Sequence, residues 1–436
     1  MFEAIEAVCR GYAVDRRRIV LRGMSMGASG TWHLGLKHPD RFAALGPYAG
    51  YVDTHKFSET PTGTFVKVGP LPEYQERTLS TLDSMDYAAN AGVVPAIACM
   101  GEKDVFFQCH VLMAQAMKDE GLEMVHLISP GTGHVVDPTT HREQMRRIGE
   151  IVAKGTEERP RHLRFVTWTL KYNRCFWIEV LALAEHYRRA EIEARLEDDG
   201  SLVVEEPRNI TSFRLSPGTA VTRVRVGDTE LGRPPEGTTS VALERRDGKW
   251  VLGTALNGKR PGLQGPIDDA FSSPFLCVRG TGTPWNDPVQ KWADAALKKF
   301  ADEWRVWFRG ELPVKDDTQV TPEDLRSRHL VLFGDPGSNR WIAQALPKLP
   351  LGWTRDELRL RGTTYAGAEH APVLIAPSPL PGAEGRYIVL NSGHTFHPSD
   401  LKINYLFFPR LGDWAVLRVG PKESVADAGL FDEQWK

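Results

Sequence analysis

The chain has 436 residues, 41% hydrophobic and 25% charged, with a formal net charge of −2. That length carries about two to four domains, and the ordinary balance excludes a disordered or fibrous chain. No basic block or acidic tail marks a nucleic-acid or membrane surface, and no apolar run reaches spanning length.

The N-terminus, Met1-Phe-Glu-Ala-Ile-Glu6, lacks the basic start and apolar core of a signal peptide. Export is expected only if further sequence precedes it, and a cytoplasmic location otherwise. Residues 3–14 place Ile5, Val8, Cys9 and Tyr12 on one stripe, which predicts a short amphipathic helix. The apolar run Ile19-Val-Leu21 then enters Gly23-Met-Ser-Met-Gly27, and a helical pattern follows as far as Lys37. Gly-x-Ser-x-Gly between strand and helix is a nucleophile elbow, with Ser25 at its apex and the Met26 N–H free to hold an oxyanion. The turn is expected to be so tight that neither flanking position tolerates a Cβ, which explains both Gly23 and Gly27.

His38-Pro39-Asp40 stops the helix, and residues 42–50 read as the next buried strand. Residues 54–82 are polar and rich in Pro, Gly and Thr, a long excursion expected at the sheet edge and the substrate rim. An apolar strand over 93–101 leads to Asp104. A helix with Val111, Leu112, Ala114, Met117 and Leu122 at its apolar positions follows. The strand 124–128 ends in the Gly-rich loop that carries His134, and a helix over 141–153 closes the unit. This alternation predicts a parallel sheet covered on both faces.

A serine hydroxyl needs a base, and the base an orienting carboxylate. Asp104 and His134 each follow a strand, in the order Ser, acid, His. Asp53, after the strand that follows the elbow, is the competing acid. His126 is expected as a core or edge histidine, His110 and His141 as surface groups, and Asp137 as a helix cap.

After Gly155, with a junction at Arg159-Pro160-Arg161, short alternating runs are separated by Asp198-Asp199-Gly200, Pro217-Gly218 and Asp247-Gly248. They predict a small antiparallel, sandwich-like β-domain. Residues 177–187 fit either a helical turn or a strand. From residue 266 the α/β rhythm returns, with strands at 275–279, 329–333, 372–375, 387–390 and 414–417 and an amphipathic helix over 288–308. The expected domains are therefore 1–155, 160–255 and 266–420.

Gly334-Asp-Pro-Gly-Ser-Asn339 lacks the motifs of a phosphate loop and reads as a tight turn capped by Ser338 or Asn339. His394-Thr-Phe-His397 lacks a carboxylate or cysteine at ligand spacing, so no metal is expected there. Five scattered cysteines are expected as reduced, mostly buried thiols. The twelve tryptophans read as core, with a sugar-stacking surface in the β-domain as the alternative.

Gly-Met-Ser-Met-Gly-Ala-Ser-Gly-Thr-Trp32, His38-Pro-Asp-Arg-Phe-Ala-Ala44, Met100-Gly-Glu-Lys-Asp104 and Gly131-Thr-Gly-His134 together resemble the prolyl-oligopeptidase-type and feruloyl-esterase-like branch of the α/β-hydrolases. The resemblance covers roughly residues 5–153; the remainder resembles the long C-terminal extension of some bacterial members. It implies hydrolysis of a small ester or peptide without metal or organic cofactor, through Ser25, Asp104 and His134. Members of that branch place several strands before the elbow, so the unit is expected to be N-terminally incomplete and to lack the second oxyanion donor. The alternative expectation is a catalytically impaired binding protein for a polysaccharide or a partner chain.

Overall fold

The computed structural model describes residues 1–59, 68–254, 257–398, 401, 407–420 and 423–436. The chain divides into two compact units, Met1–Pro70 with Leu79–Ala255, and Leu71–Thr78 with Leu256–Lys436.

The first unit opens with α1 (Phe2–Gly11), β1 (Val20–Met24), α2 (Met26–Lys37) and β2 (Ala44–Tyr48). Then come α3 (Thr54–Ser58) and, assigned to the second unit, α4 (Glu73–Thr78). The first unit resumes with β3 (Ile97–Gly101), α5 (Phe107–Asp119), β4 (Val125–Ser129) and α6 (Pro138–Lys154). The strands form one parallel sheet in the order β1-β2-β3-β4. Trp32, Leu36, Met113 and Met117 pack on one face, and Ile148 of α6 packs with Ala44 and Ile97 on the other.

Two helical stripes differ from the pattern read in the sequence. Helix α1 forms but buries none of its residues; Val8 and Tyr12 are exposed, and Phe2 and Ile5 are what it lays on the core. Helix α5 turns Cys109, His110, Met113 and Met117 inward and leaves Val111 exposed. Periodicity admits either stripe; the facing sheet chooses the one that fills its surface. Of the excursion at 54–82, α3 and the residues from 68 onward are described, and the residues between 60 and 67 lie outside the described part.

The same unit continues through β5 (His162–Thr167), β6 (Arg174–Cys175), β7 (Ile178–Leu183), β8 (Ala190–Leu196), β9 (Ser201–Val204), β10 (Ile210–Leu215), β11 (Arg223–Val226), β12 (Thr229–Leu231), β13 (Val241–Arg246) and β14 (Lys249–Leu252). They form two five-stranded sheets, β14-β13-β10-β7-β6 and β12-β11-β9-β8-β5, that share one core. All pairings are antiparallel except β9 with β11. The ambiguous stretch is strand β7. Its alternate side chains Ile178 and Val180 are fully buried between the sheets.

This β-sandwich is fastened to the parallel sheet by buried polar bonds. The Asn90 carboxamide donates to Leu36 O at 2.8 Å and Val166 O at 2.9 Å, and accepts from Val166 N at 2.9 Å. Glu120, after α5, receives Arg164 and Arg189 from the sandwich, and both also pair with Glu191.

In the second unit, β15 (Phe275–Arg279), α7 (Asp287–Glu303), β16 (Val314–Asp316), α8 (Pro322–Ser327), β17 (His329–Phe333), α9 (Arg340–Ala345), the hairpin strands β18 (Gly352–Trp353), β19 (Glu357–Leu360) and β20 (Thr363–Ala366), β21 (His370–Pro377), β22 (Tyr387–Leu390), β23 (Trp414–Arg418) and β24 (Ser424–Gly429) follow. The large sheet has the order β16-β15-β17-β22-β21-β23-β24. It is mixed: parallel through β22, then antiparallel to its far edge. The helix expected over 288–308 is α-helical to Glu303 and continues as one π-turn over Trp304–Phe308. Asn339 caps α9, accepting from Trp341 N and Ile342 N. Cys99, Cys109, Cys175 and Cys277 are buried thiols. No helix among the described residues is long and apolar enough to cross a membrane.

Asn90 bonds three backbone groups, Leu36 O, Val166 O and Val166 N, and leaving buried partners unpaired costs about 1–3 kcal/mol each. Asn90→Ala is therefore expected to lower the stability of the first unit by at least about 2 kcal/mol. Denaturant titration of the full chain, followed by near-UV circular dichroism, measures this.

Candidate active site

The site is built on the C-terminal ends of the parallel strands. Ser25 stands between β1 and α2 with φ 55° and ψ −120°, a conformation that costs a side-chain-bearing residue on the order of 1–3 kcal/mol. Its backbone is held by Ser25 N donating to Tyr48 O at 2.9 Å, and by Ala28 N and Ser29 N donating to Ser25 O. A Cβ at Gly23 would lie 2.2 Å from Gly27 O and 2.3 Å from Gly27 C, so β1 can cross under α2 only with glycine there. Gly27 differs from its expected role: a Cβ there meets nothing within 4 Å. Its backbone is the wall that Gly23 must avoid, and its own side is open.

Asp104 follows β3 and is buried, with no exposed side-chain surface. One carboxylate oxygen accepts from Phe106 N at 2.9 Å. The other lies 2.9 Å from His134 Nδ1, and His134 Nε2 lies 2.9 Å from Ser25 Oγ. An ionised carboxylate only accepts, so the contact assigns the proton to Nδ1 and leaves Nε2 as the acceptor toward the serine hydroxyl.

The loops carrying acid and histidine are locked to one another. Glu102 N donates to Ser129 O, Lys103 N to Thr132 O at 2.8 Å, and Gly131 N to the Glu102 carboxylate at 2.7 Å. A Cβ on Gly101 would lie 2.2 Å from Gly133 O, so the two loops are in backbone contact. Beneath them runs a buried hydroxyl chain: Tyr48 with Ser129 at 3.0 Å, Ser129 donating to Thr140 at 2.7 Å, and Asp137 N donating to Tyr48. Sequence reading missed this support. Its only signal was a tyrosine and a serine at the C-terminal ends of two strands, β2 and β4, that flank β3.

Met26, the first residue of α2, carries a first-turn N–H without an intrahelical acceptor, beside Ser25 and at the positive end of the helix dipole. Each of the three aligned residues is followed by an exposed apolar side chain: Met26 (58%), Val105 (48%) and Val135 (54%). An aromatic row leads to the imidazole. Tyr51 stacks on Phe57, Phe57 on Phe106, and Phe106 meets the His134 ring edge-on at 5.2 Å.

The competing residues have other partners. Asp53 caps α3 through Lys56 N, and Asp137 caps α6 through Thr140 N. His141 contacts Arg22. His110, expected at the surface, is fully buried on the inward stripe of α5 and shares a 2.9 Å hydrogen bond with His126. Among the described residues no three metal-ligating side chains converge.

A parallel sheet bearing a serine at a strand-to-helix elbow, with an acid and a histidine on later strand ends, is the architecture of the α/β-hydrolases. Within that class, residues 1–154 match the sequence profile of the prolyl oligopeptidase family. Solved structures align over about a third of the chain. A puromycin-hydrolysing peptidase of Mycobacterium tuberculosis shares 24% identity, over 35% of this chain and 24% of that one, with a TM-score of 0.30. A fluorophosphonate-binding serine hydrolase of Staphylococcus aureus shares 17%, over 35% and 61%, with a TM-score of 0.29. A ferulic acid esterase shares 20%, over 34% and 59%, with a TM-score of 0.27. The chain thus spans less than two thirds of each. Comparison with curated proteins gave no match.

Two outcomes are expected from this geometry. Gly23→Ala should destabilise the first unit by more than about 2 kcal/mol through backbone overlap, whereas Gly27→Ala should be neutral or stabilise α2 by up to about 1 kcal/mol. Paired thermal melts check this. Burial also pushes the His110 imidazole down from 6.5 to about 3. The unfolded chain binds that proton at the higher pH, so the stability contributed by neutral His110 is full above pH 6.5 and declines as the pH falls toward 3. The stability difference between the native chain and a His110→Gln variant should accordingly shift against the native chain between pH 7 and about pH 4. Denaturation midpoints measured across that range report it.

Proposed function

We propose that the chain is a serine hydrolase that cleaves a small ester or peptide through an acyl-enzyme, with Ser25 as nucleophile, His134 as base and Asp104 as orienting acid. The observation that carries this is the unbroken line from Ser25 Oγ through the His134 ring to a buried Asp104 carboxylate, both links 2.9 Å. As Ser25 Oγ attacks the carbonyl carbon, its proton passes to His134 Nε2. Asp104 steadies the imidazolium through Nδ1–H. The negative charge on the former carbonyl oxygen is met by the Met26 N–H. Collapse of the tetrahedral intermediate gives the acyl-serine as His134 returns its proton to the leaving group. Water, deprotonated by His134, then releases the acid.

The apolar rim of Met26, Val105 and Val135, with the Phe106 ring beside His134, supports an apolar acyl group on the substrate. In this reading residues 1–155 are the catalytic domain, 160–255 its accessory β-domain, and 266–420 a separate α/β domain.

A fluorophosphonate probe is expected to label the full-length chain at Ser25, with labelling lost in Ser25→Ala. Turnover of p-nitrophenyl butyrate should fall on the order of 10³–10⁴-fold in Asp104→Asn at neutral pH, because the imidazole is left in the wrong tautomer. Labelling that persists in Ser25→Ala would overturn the assignment. A folded chain that neither labels nor turns over esters would favour the binding-protein alternative.

A further inference from the structure

The first unit carries a groove of about 490 Å³ at the opposite end of the parallel sheet from Ser25, where that sheet meets the β-sandwich. Its volume lies within the range of ligand sites. Ala43, Pro95 and Leu122, which stand just ahead of β2, β3 and β4, line it together with Val93 and Ile151. From the sandwich it is lined by Phe176, held at a positive φ of 50° with its N–H on the Asp40 carboxylate at 3.0 Å.

The remaining wall is a sheet edge. Strand β5 is the last of its sheet and has β8 on one side only. Arg161 O accepts from Leu196 N, which puts residues 163, 165 and 167 in the phase that bonds to β8. The N–H and C=O groups of His162, Arg164 and Val166 therefore point away from β8. At Val166 both are already met, since the Asn90 carboxamide accepts from the N–H and donates to the C=O, as a neighbouring strand would. The 3₁₀ segment that carries Asn90 ends at Gly92. Beyond it His162 and Arg164 line the groove, and their backbone groups have no hydrogen-bond partner among the described residues.

A strand edge with unmet donors and acceptors is a template for another strand, and the pockets beside it select side chains. Charge narrows the choice of guest. Arg164 is engaged by Glu120 and Glu191, and His162 by Glu193 at 2.7 Å. Glu157, exposed at the groove, is the one charged lining residue with no ion-pair partner among the described residues. We propose that the groove binds an extended segment of a partner polypeptide as an added strand on β5, with an apolar side chain beside Val93, Leu122 and Phe176 and a basic one against Glu157. From His162 to Val166 the edge spans about 13 Å, so four or five residues of the guest suffice. The inference uses no residue of the proposed triad and is independent of the hydrolase assignment.

The full-length chain is titrated, by fluorescence anisotropy, with fluorescein-labelled hexapeptide amides. They are built on threonine, with one leucine or phenylalanine moved through the inner positions and a lysine at either end; a matched set carries glutamate in place of lysine. Saturable binding of at least one lysine peptide is expected. His162→Pro removes an outward N–H while leaving the β8 ladder whole, and should weaken binding at least about tenfold. N-methylating one of the two alternate sets of peptide amides should do the same, a readout that leaves the protein untouched. Glu157→Gln, and glutamate for lysine in the peptide, should each weaken binding several-fold. Near-UV circular dichroism checks that both variants are folded. Absence of saturable binding by every lysine peptide, binding that N-methylation of either set leaves unaltered, or equal binding of the glutamate set would overturn the proposal. A dimer of the chain in size-exclusion chromatography that His162→Pro dissociates would overturn it too, by assigning the edge to a second copy.

Discussion

The site in the first unit depends on one steric constraint. The bare Cα of Gly23 lies under the Gly27 backbone, where a methyl group would fall 2.2 Å from a carbonyl oxygen. That close crossing forces the chain to reverse within Ser25, at a positive φ. It lifts the hydroxyl toward His134 and leaves the Met26 N–H at the head of α2. The strain stored at Ser25 is held by bonds on both sides, from Tyr48 below and from α2 above.

A second constraint of the same kind sets the partners. Gly101 and Gly133 bring the loops after β3 and β4 into backbone contact. The loop–loop hydrogen bonds then fix Asp104 and His134 as one body. Short distances across the three side chains follow from packing between backbones, which is stiffer than any side-chain contact. The hydroxyl chain through Tyr48, Ser129 and Thr140 ties that body to the sheet, so acid, base and elbow share one support.

The second unit uses the same device for packing. A Cβ on Gly393 would lie 2.4 Å from the Phe300 ring, and that close approach sets His394 among the rings of Phe300, Phe308 and Phe396, with Glu303 Oε2 3.3 Å from its Nε2.

Much was legible in the sequence because it was local. Alternating strands and helices, the elbow, the order of Ser25, Asp104 and His134, and the caps at Asp137 and Asn339 all follow from spacing and residue chemistry within a few positions. What the sequence left open was decided by partners far along the chain. His110 resembled a surface residue until the sheet took up the stripe of α5 that contains it. Residues 177–187 became a strand because β10 and β6 offered edges to pair with. The motif implied equal need for Gly23 and Gly27, yet only the three-dimensional crossing of β1 under α2 shows that one is crowded and the other open. Local propensity specifies elements and chemistry. Which face is buried, which glycine is obligatory and which polar group lacks a partner are set by what the fold brings alongside.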